Sequence, residues 1–577
     1  MGVPGFFMWL WRKYKGKNFV FNKDNLNLKK DKNLIEKVNN IDYYLIDTNC
    51  MIHPECFKIL DKYNDITNKI KLENKMMDAV IEYLDKTVQY VNPKKGVFIA
   101  IDGVAPVAKI KQQRLRRFKS VHDRKLWDNI KRKHNKEIKN KWNNSAITPG
   151  TEFMKKLNNK ILTWCKKQTL HIIYSSSNSP SEGEHKLLQF IRNNKKKNKN
   201  YKYVIYGLDA DLIFLGLATG INDIFLLREA VHLNRNKPTD ILNYVWMEKM
   251  RESISETVIN MFNKKIEIND KILNKNRIIN DFIFICYFLG NDFLHHLPSL
   301  DISKNGLDNL LNVYVNILLE NNLDYIINVK NKEMINQNIF LKLIKKLSEE
   351  EDNILSDNYM NKKRKYRSQS SDPYDREVHR IENLQFKIED KIMLGSDSAE
   401  KWEERYFNHY YGVEKDELES FRIEIGKQYL IGLKWVTLYY FDKCPSWSWY
   451  FPYDHPPFLK DIYKSSINYN FNKIKFKIGK PIKPFVQLLC VLPPQSSFLL
   501  PKKLQKIMLN KNSSLAHLYP IGFEQDFIGK SRYWMGIPYL PELDINLVIR
   551  TFSKYKNKLS DNDKKKNRII KNYEFNN

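Results

Sequence analysis

Seven carboxylates stand where chain elements are expected to end: Asp47, Asp102, Glu182, Glu184, Asp209, Asp211 and Asp292. Carboxylates gathered in one crevice repel one another unless cations lie between them, and hard divalent ions such as Mg²⁺ take oxygen ligands. Two-metal sites use such a cluster to activate water and steady the leaving oxygen in phosphodiester cleavage. A second feature is cationic: Lys109, Gln113, Arg116 and Arg117 fall at i, i+4, i+7 and i+8. At about 100° per residue they share one helix face. A carboxylate at a strand end followed by a one-sided cationic helix pairs a metal ligand with a grip for phosphate. Each feature also has an ordinary reading. D-x-D pairs are common on surfaces, Glu182 and Glu184 suit a helix start through its dipole, and a charge run is usually a solvated face. The joint placement favours a metal nuclease.

The elements that must position these groups are legible. Apolar runs at 43–46, 97–101 and 203–206 lead to Asp47, to Asp102, and to Asp209 with Asp211. Runs of this kind bounded by turn residues read as buried strands. Gly103 and Pro106 break the second run, and Pro suits a first helical turn, so the cationic helix begins just after it. A Pro-Ser turn at Pro180 and Ser181 precedes a helical stretch at 187–192, with Glu182 and Glu184 near its start. The apolar run 281–289, helix or strand, leads to Gly290 and Asp292. Strands separated by helical patterns predict an α/β fold with a largely parallel central sheet and helices on both faces. In such sheets functional groups gather beyond the carboxyl ends of the strands, which converges the acids on one crevice.

The 577-residue chain is long enough for more than one domain and carries a net charge of +31, which points to a polyanionic partner, nucleic acid before anionic membrane. From Lys109 to Lys141 fourteen Lys/Arg face three acids. Heavy Lys, Asn and Ile usage suggests an AT-rich genome, which accounts for part of the basicity. The run 193–200 (NNKKKNKN) reads as a solvated loop. Six scattered Cys form no CxxC pair, so a zinc site is not expected and reduced thiols in an intracellular protein are. No apolar run reaches about 18 residues, so no membrane-spanning helix is expected. The start, MGVPGFFMWLWRKYKGK, lacks the order of a signal peptide and has Phe6 where myristoylation wants Ser or Thr. Phe6, Phe7, Trp9 and Leu10 read as a segment docked on the core. Residues 348–378 read as a linker or mobile insertion, with Lys362, Lys363, Arg364 and Lys365 as a weak nuclear-import match. A mainly helical, aromatic-rich region follows, and the end of the chain reads as a basic tail.

The chain resembles the Xrn family of 5′→3′ exoribonucleases, within the PIN-like and flap-endonuclease superfamily. The matching stretches run in order across nearly the whole chain. They are MGVPGFFMWL at the start, LIDTNCMIH from Leu45, AIDGVAPVAKIKQQRLRR from Ala100, ITPGTEFM from Ile147, SEGEHK from Ser181, YGLDADLI from Tyr206 and FLGNDFLHHLPSL from Phe288. In the second half are GLKWVTLYYFDKCPSWSWYFPYDHPPF from Gly432 and QLLCVLPPQSSFLLP from Gln487. The chain departs from the family at Cys50, where Gly is common, and at Val107, where Arg is usual. It ends soon after the second block, so the long C-terminal extensions of cytoplasmic members are not expected. Its length and composition suit a viral or compact-genome homologue.

The resemblance implies a nuclease domain over 1–347, the linker over 348–378, a helical second conserved region over 379–555 that completes the pocket, and a tail over 556–577. It implies that the seven carboxylates are catalytic and bind Mg²⁺, as two ions, with Mn²⁺ able to substitute. It implies that Lys109, Gln113, Arg116 and Arg117 hold a 5′-monophosphate and that His53 stacks on the first base, with Trp447 or Trp449 as the opposite wall and Trp534 as a further choice. His295 and His296 are expected to be structural. The implied partner is single-stranded RNA with a 5′-monophosphate, degraded to mononucleotides by a monomeric, intracellular enzyme, nuclear or cytoplasmic, with no membrane. The competing readings are a structure-specific DNA flap endonuclease and an inert RNA-binding scaffold.

Overall fold

The computed structural model describes residues 5–63, 66–138, 142–229, 241–266, 273–361, 368–396 and 401–576. Its centre is an eight-stranded sheet. In chain order the strands are β1 (Val20–Phe21), β2 (Tyr43–Asp47), β3 (Gly96–Ala100), β4 (His171–Ser175), β5 (Tyr203–Tyr206), β6 (Ile224–Glu229) and β7 (Leu242–Trp246). A two-stranded ribbon, β8 (Gln525–Asp526) with β9 (Ile537–Pro538), stands apart, and β10 (Tyr573–Phe575) completes the sheet. The spatial order is β1-β7-β6-β5-β2-β3-β4-β10. The five central strands from β6 to β4 are parallel, and antiparallel strands close both edges. The expected α/β fold with a largely parallel sheet is therefore present.

Side chains alternate between the two sheet faces along each strand, and both faces are covered. Leu45, Phe98, Tyr203 and Ile205 pack with Leu187, Leu188 and Ile191 of the helix Gly183–Lys196. Tyr44, Ile46, Val97, Ile99, Val204 and Tyr206 pack on the opposite side with Met76, Val80 and Leu84 of the helix Lys69–Val91. This is why the strands read as continuous apolar runs. Register levels the strand ends: Asp47 lies opposite Ala100, and Ile46 opposite Tyr206. The acids that follow β3 and β5 therefore leave the sheet beside Asp47.

The aromatic-rich second half joins the first core. The helix Leu418–Phe441 contributes Tyr429, Leu433, Trp435, Tyr439 and Tyr440 to the cluster that contains Phe6, Phe7 and Leu10. The N-terminal segment docks as its apolar spacing suggested, with Phe6 stacked on Phe214 at 4.3 Å between ring centroids. A third cluster seats the helix Val107–Lys133, through Ile110 and Phe118, on the helix Pro484–Val491.

Some segments differ from expectation. The span 348–378 carries the helices Glu351–Met360 and Pro373–Glu382. Its acidic composition reads as solvated, but Glu351 is buried and accepts from the N–H groups of Leu459 and Lys460, each at 3.0 Å, which caps the helix Leu459–Asn468. The basic cluster Lys362, Lys363, Arg364 and Lys365 lies outside the described residues, as do residues 1–4. The run 193–200 is helical through Lys196, because the apolar face of its helix holds the preceding turns on the sheet. The basic end is not wholly solvated: β10 pairs with β4, and Tyr573 stacks on Tyr174. All six cysteines are free thiols. No helix among the described residues is long and apolar enough to cross a membrane.

Candidate active site

The loop after β3 and the start of the helix Gly183–Lys196 are locked together. Gly103 N–H donates to Ser181 O at 2.9 Å, and Ser181 N–H donates to Val104 O at 2.8 Å. Gly103 has no room for a side chain, since a Cβ there would lie 1.7 Å from Ser179 O. Ser181 takes φ 92°, a region that non-glycine residues rarely occupy. Lys186 reinforces the joint, its Nζ donating to Ile101 O at 2.5 Å and to Ser176 O at 3.1 Å. Burial, only partly offset by Asp102 and Asp47, draws the Lys186 ammonium down to about 7.

This joint sets the acids in place. Glu182 sits at the N-cap position of its helix and Glu184 in the first turn. Asp102 Oδ1 accepts the Gly183 N–H at 2.7 Å. A Cβ on Gly183 would lie 2.7 Å from Asp47 Oδ1, so the helix start and the end of β2 are in close approach. Asp211 opens the helix Asp211–Ala218. Asp292 follows Gly290, whose φ of 89° and close approach to the His296 backbone exclude a side chain.

All seven acids share one electrostatic field. Burial first, then Asp102 and Asp209, push the Asp47 carboxyl well above the usual range. Burial, then Asp211 and Glu182, do the same to Glu184. Asp211 is pushed up to about 7, by burial and then by Asp292. Glu182 is raised by burial, with Lys109 pulling it back. A largely buried cation, Lys109, lies among these acids. The Lys109 ammonium lies 2.5 Å from Glu182 Oε1 and also pairs with Asp292. Burial alone would lower it, but Asp292 and Glu182 outweigh that and hold it well above the usual range. Lys109 in turn keeps Asp292 below the usual carboxylate range despite its burial.

The donor set fits divalent cations. Asp47 Oδ1, Glu184 Oε2 and Asp211 Oδ1 are buried carboxylate oxygens without a hydrogen-bond donor among the described residues. Buried carboxylate oxygens normally have partners, and a hard cation is what such oxygens would take. Among the described residues, potential ligand atoms lie within 4.8 Å of one another in each of two groups: Asp47, Cys50 and Asp209, and Glu182, Glu184 and His185.

Lys109, Gln113, Arg116 and Arg117 lie on the helix Val107–Lys133, whose first N–H is accepted by Trp447 O at 3.0 Å. Gln113 Oε1 accepts from Gln487 Nε2 at 3.3 Å, and Gln487 Oε1 accepts the Ala105 N–H at 3.1 Å, which fixes the amide across the two halves of the chain. Arg114, on the neighbouring face, is spent on the interior, donating to Cys490 O at 2.9 Å and to Leu518 O. His53, on the helix Asn49–Lys62, lies in the field of both Arg116 and Arg117. Burial and those two cations draw it down to about 4, so it is a neutral ring at physiological pH. Burial and Arg116 also lower Arg117, to about 9.

The structure thus brings the seven acids, Lys109, and the His53–Arg116–Arg117 group to one end of the sheet. Trp449 lays its ring on Trp435, centroids 5.1 Å apart, so one of its faces is used in packing. Trp534 is exposed. His296 Nδ1 lies 3.2 Å from Leu297 O. Two contributors escaped the sequence. Tyr439 donates to Glu182 Oε2 at 2.8 Å and lays its ring 3.6 Å from that of His185, yet in LYYF it reads only as core. Cys50 places its thiol on Asp47 Oδ2 at 3.2 Å, where the only available signal was its departure from a common Gly.

Comparison with known proteins gives two family matches and several relatives. A family model described as the XRN 5′-3′ exonuclease N-terminus matches residues 1–230. One described as the Xrn1 helical domain matches residues 272–386 and 376–575. The chain is 30% identical to 5′-3′ exoribonuclease 2 of Debaryomyces hansenii, covering 99% of this chain and 71% of that protein. It is 31% identical to 5′-3′ exoribonuclease 1 of Homo sapiens, covering 98% of this chain and 35% of that protein. It is 28% identical to 5′-3′ exoribonuclease 2 of Arabidopsis thaliana, over 99% of this chain and 69% of that protein.

Proposed function

We propose what this chain does from a plain premise: it belongs to the Xrn family of 5′→3′ exoribonucleases. It is a 5′→3′ exoribonuclease, a hydrolase of phosphodiester bonds. In our reading it acts as a monomer on single-stranded RNA bearing a 5′-monophosphate, needs Mg²⁺, and releases mononucleotides. One observation carries this reading: seven acids share a field whose deep cation, Lys109, sits on the same helix face as Gln113, Arg116 and Arg117.

Asp47, Asp102, Glu182, Glu184, Asp209, Asp211 and Asp292 would hold Mg²⁺, with Mn²⁺ able to substitute and two ions sharing the set. When bound, the ions supply the Lewis acidity that makes water nucleophilic and steadies a leaving oxygen. Arg116 and Arg117 offer planar N–H forks to the oxygens of a terminal phosphate. Gln113, its carbonyl taken by Gln487, offers its amide NH₂. Neutral His53 stacks on the first base without adding charge, and Trp447 or Trp449 forms the other wall. Every base has a π-face, so stacking tolerates any sequence. Lys109 orients Glu182 and Asp292 while lending positive charge to the incoming phosphate. A small closed pocket beside the acids would reject a cap or triphosphate by size, which would fix the direction of attack from the 5′ end.

The test is decay of one single-stranded RNA carrying a 5′-monophosphate or a 5′-triphosphate, in Mg²⁺ and in EDTA, with Asp209→Ala beside the wild type. Mg²⁺-dependent loss of the monophosphate RNA alone, absent in the variant, is expected. Equal cleavage of both ends would replace the phosphate pocket with an endonuclease reading. Tight, salt-sensitive binding without cleavage would leave an RNA-binding scaffold.

A further inference from the structure

The end of β2 holds a donor set that differs from the rest of the crevice. Asp47 is 5% exposed, and its two oxygens face different ways. Oδ2 accepts the Cys50 thiol at 3.2 Å, while Oδ1, without a donor among the described residues, faces Gly183. Cys50 Sγ also accepts the Leu208 N–H at 3.4 Å, so the thiol bridges the end of β2 and the loop after β5. Arg228 donates to Leu208 O at 3.0 Å and holds that loop still. Asp209, the next residue, is exposed to solvent. The ligand atoms of Asp47, Cys50 and Asp209 lie within 4.8 Å of one another.

We propose that Asp47, Cys50 and Asp209 form a thiol-bearing cation site that selects thiophilic divalent ions, Cd²⁺ and Zn²⁺, over Mg²⁺, and that filling it stops cleavage. A sulfur with two carboxylates is a set that zinc-like ions accept. Mg²⁺ wants oxygens alone in a regular octahedron and gains nothing from sulfur. Binding breaks the Cys50 S–H bond: the proton goes to solvent and the freed sulfur pair forms the metal bond, with no change of oxidation state. An ion held there occupies Asp47 and Asp209, two of the seven acids, and fixes the loop that leads into the Asp211–Ala218 helix. The binding half stands on the geometry alone; the inhibition half rests on the proposed nuclease reading.

The full chain, free of RNA, is titrated with Cd²⁺ in a large excess of Mg²⁺ while the ultraviolet sulfur-to-cadmium charge-transfer band is followed. One saturable equivalent is expected for the wild type, with the band lost in Cys50→Ser. Asp209→Asn keeps every thiol and replaces an exposed side chain; its Cd²⁺ affinity should fall roughly tenfold or more. A band that survives in Cys50→Ser, an Asp209→Asn affinity equal to wild type, or displacement by Mg²⁺ would overturn the site. Cleavage inhibition that tracks the band supports the second half, and a filled band with undiminished cleavage overturns it.

Discussion

The Lys109 ammonium lies 2.5 Å from the Glu182 carboxylate, at the point where the cationic helix meets the acidic crevice. It also pairs with Asp292. One side chain therefore belongs to both halves of the proposed site. A buried charge stripped of its partner is costly, about 3–5 kcal/mol. Here Lys109 pairs with Glu182 and Asp292, so its loss removes a buried partner from both. Lys109→Met should lose about that much stability in EDTA, and Mg²⁺ should restore more stability to the variant than it adds to the wild type. Urea melts of both proteins in EDTA and in Mg²⁺ measure the difference; equal Mg²⁺ effects would separate Lys109 from the metal site.

The same field gives the metal-free protein a pH dependence of known sign. Asp211 is pushed up to about 7 by burial and Asp292, and Asp47 and Glu184 are raised as well. A carboxyl raised in the folded state binds its proton more tightly there than in the unfolded chain. Stability is then fully present below the ordinary carboxylate range and is lost as pH rises from about 4 towards 7. The share of stability in EDTA that these acids contribute should fall across that window, while buried imidazoles such as His53 contribute with the opposite sign. Asp211→Asn should flatten the fall and, by removing a repelling charge, raise the plateau. Excess Mg²⁺ should flatten it in the wild type. A melting-temperature difference between wild type and Asp211→Asn that does not change with pH in EDTA would contradict the clustering of these acids.

What was legible beforehand follows the same physics. Strand ends were readable because β2, β3 and β5 are buried on both faces, and each apolar run stops abruptly at a polar turn. The cationic helix was readable because Pro106 marks its start and its spacing needs no tertiary information. Tyr439 was not readable, since an aromatic on a buried helix gives one signal whether its hydroxyl meets water or Glu182. The role of Arg114 was hidden for the converse reason: only the fold shows that its guanidinium faces the Cys490 and Leu518 carbonyls. β10 was missed because an edge strand of three residues in a basic end carries no periodicity long enough to count.

Arg116 and Arg117 should separate binding of the end group from chemistry. Neither contacts the acids in the way Lys109 does, and both act on His53. Hydrogen bonds to charged groups contribute about 1.5–3 kcal/mol each. Arg116→Ala or Arg117→Ala should lower kcat/KM for 5′-monophosphate RNA by about tenfold to a hundredfold. Decay of 5′-hydroxyl RNA, slow in the wild type, should not fall further. Arg117→Lys should recover little, because a point charge cannot replace a planar fork. Comparable losses on both RNAs would place these arginines on the general RNA path instead of the end pocket.

Gly183 isolates the geometry of the site from its charge. Its N–H donates to Asp102 at 2.7 Å, and a Cβ there would meet Asp47 Oδ1 at 2.7 Å and Ala100 O at 3.1 Å. Alanine is the better helix former by about 1 kcal/mol, which offsets part of the crowding cost of about 1–3 kcal/mol. The fold should therefore tolerate Gly183→Ala with a small loss. The carboxylates should not tolerate it, because either Asp47 or the helix start must move by several tenths of an ångström. A misplacement of about 1 Å near reacting groups can cost about a hundredfold in rate, so a shift of several tenths should cost about tenfold. The control is Gly522→Ala, where an added Cβ meets nothing within 4 Å. A Gly183→Ala protein that melts within a few degrees of wild type but degrades RNA at least about tenfold more slowly would establish that the close approach of β2 and the Gly183–Lys196 helix sets the rate. Full activity in that variant would show that the acids have slack the static geometry does not suggest, and would move the origin of rate control to the phosphate pocket.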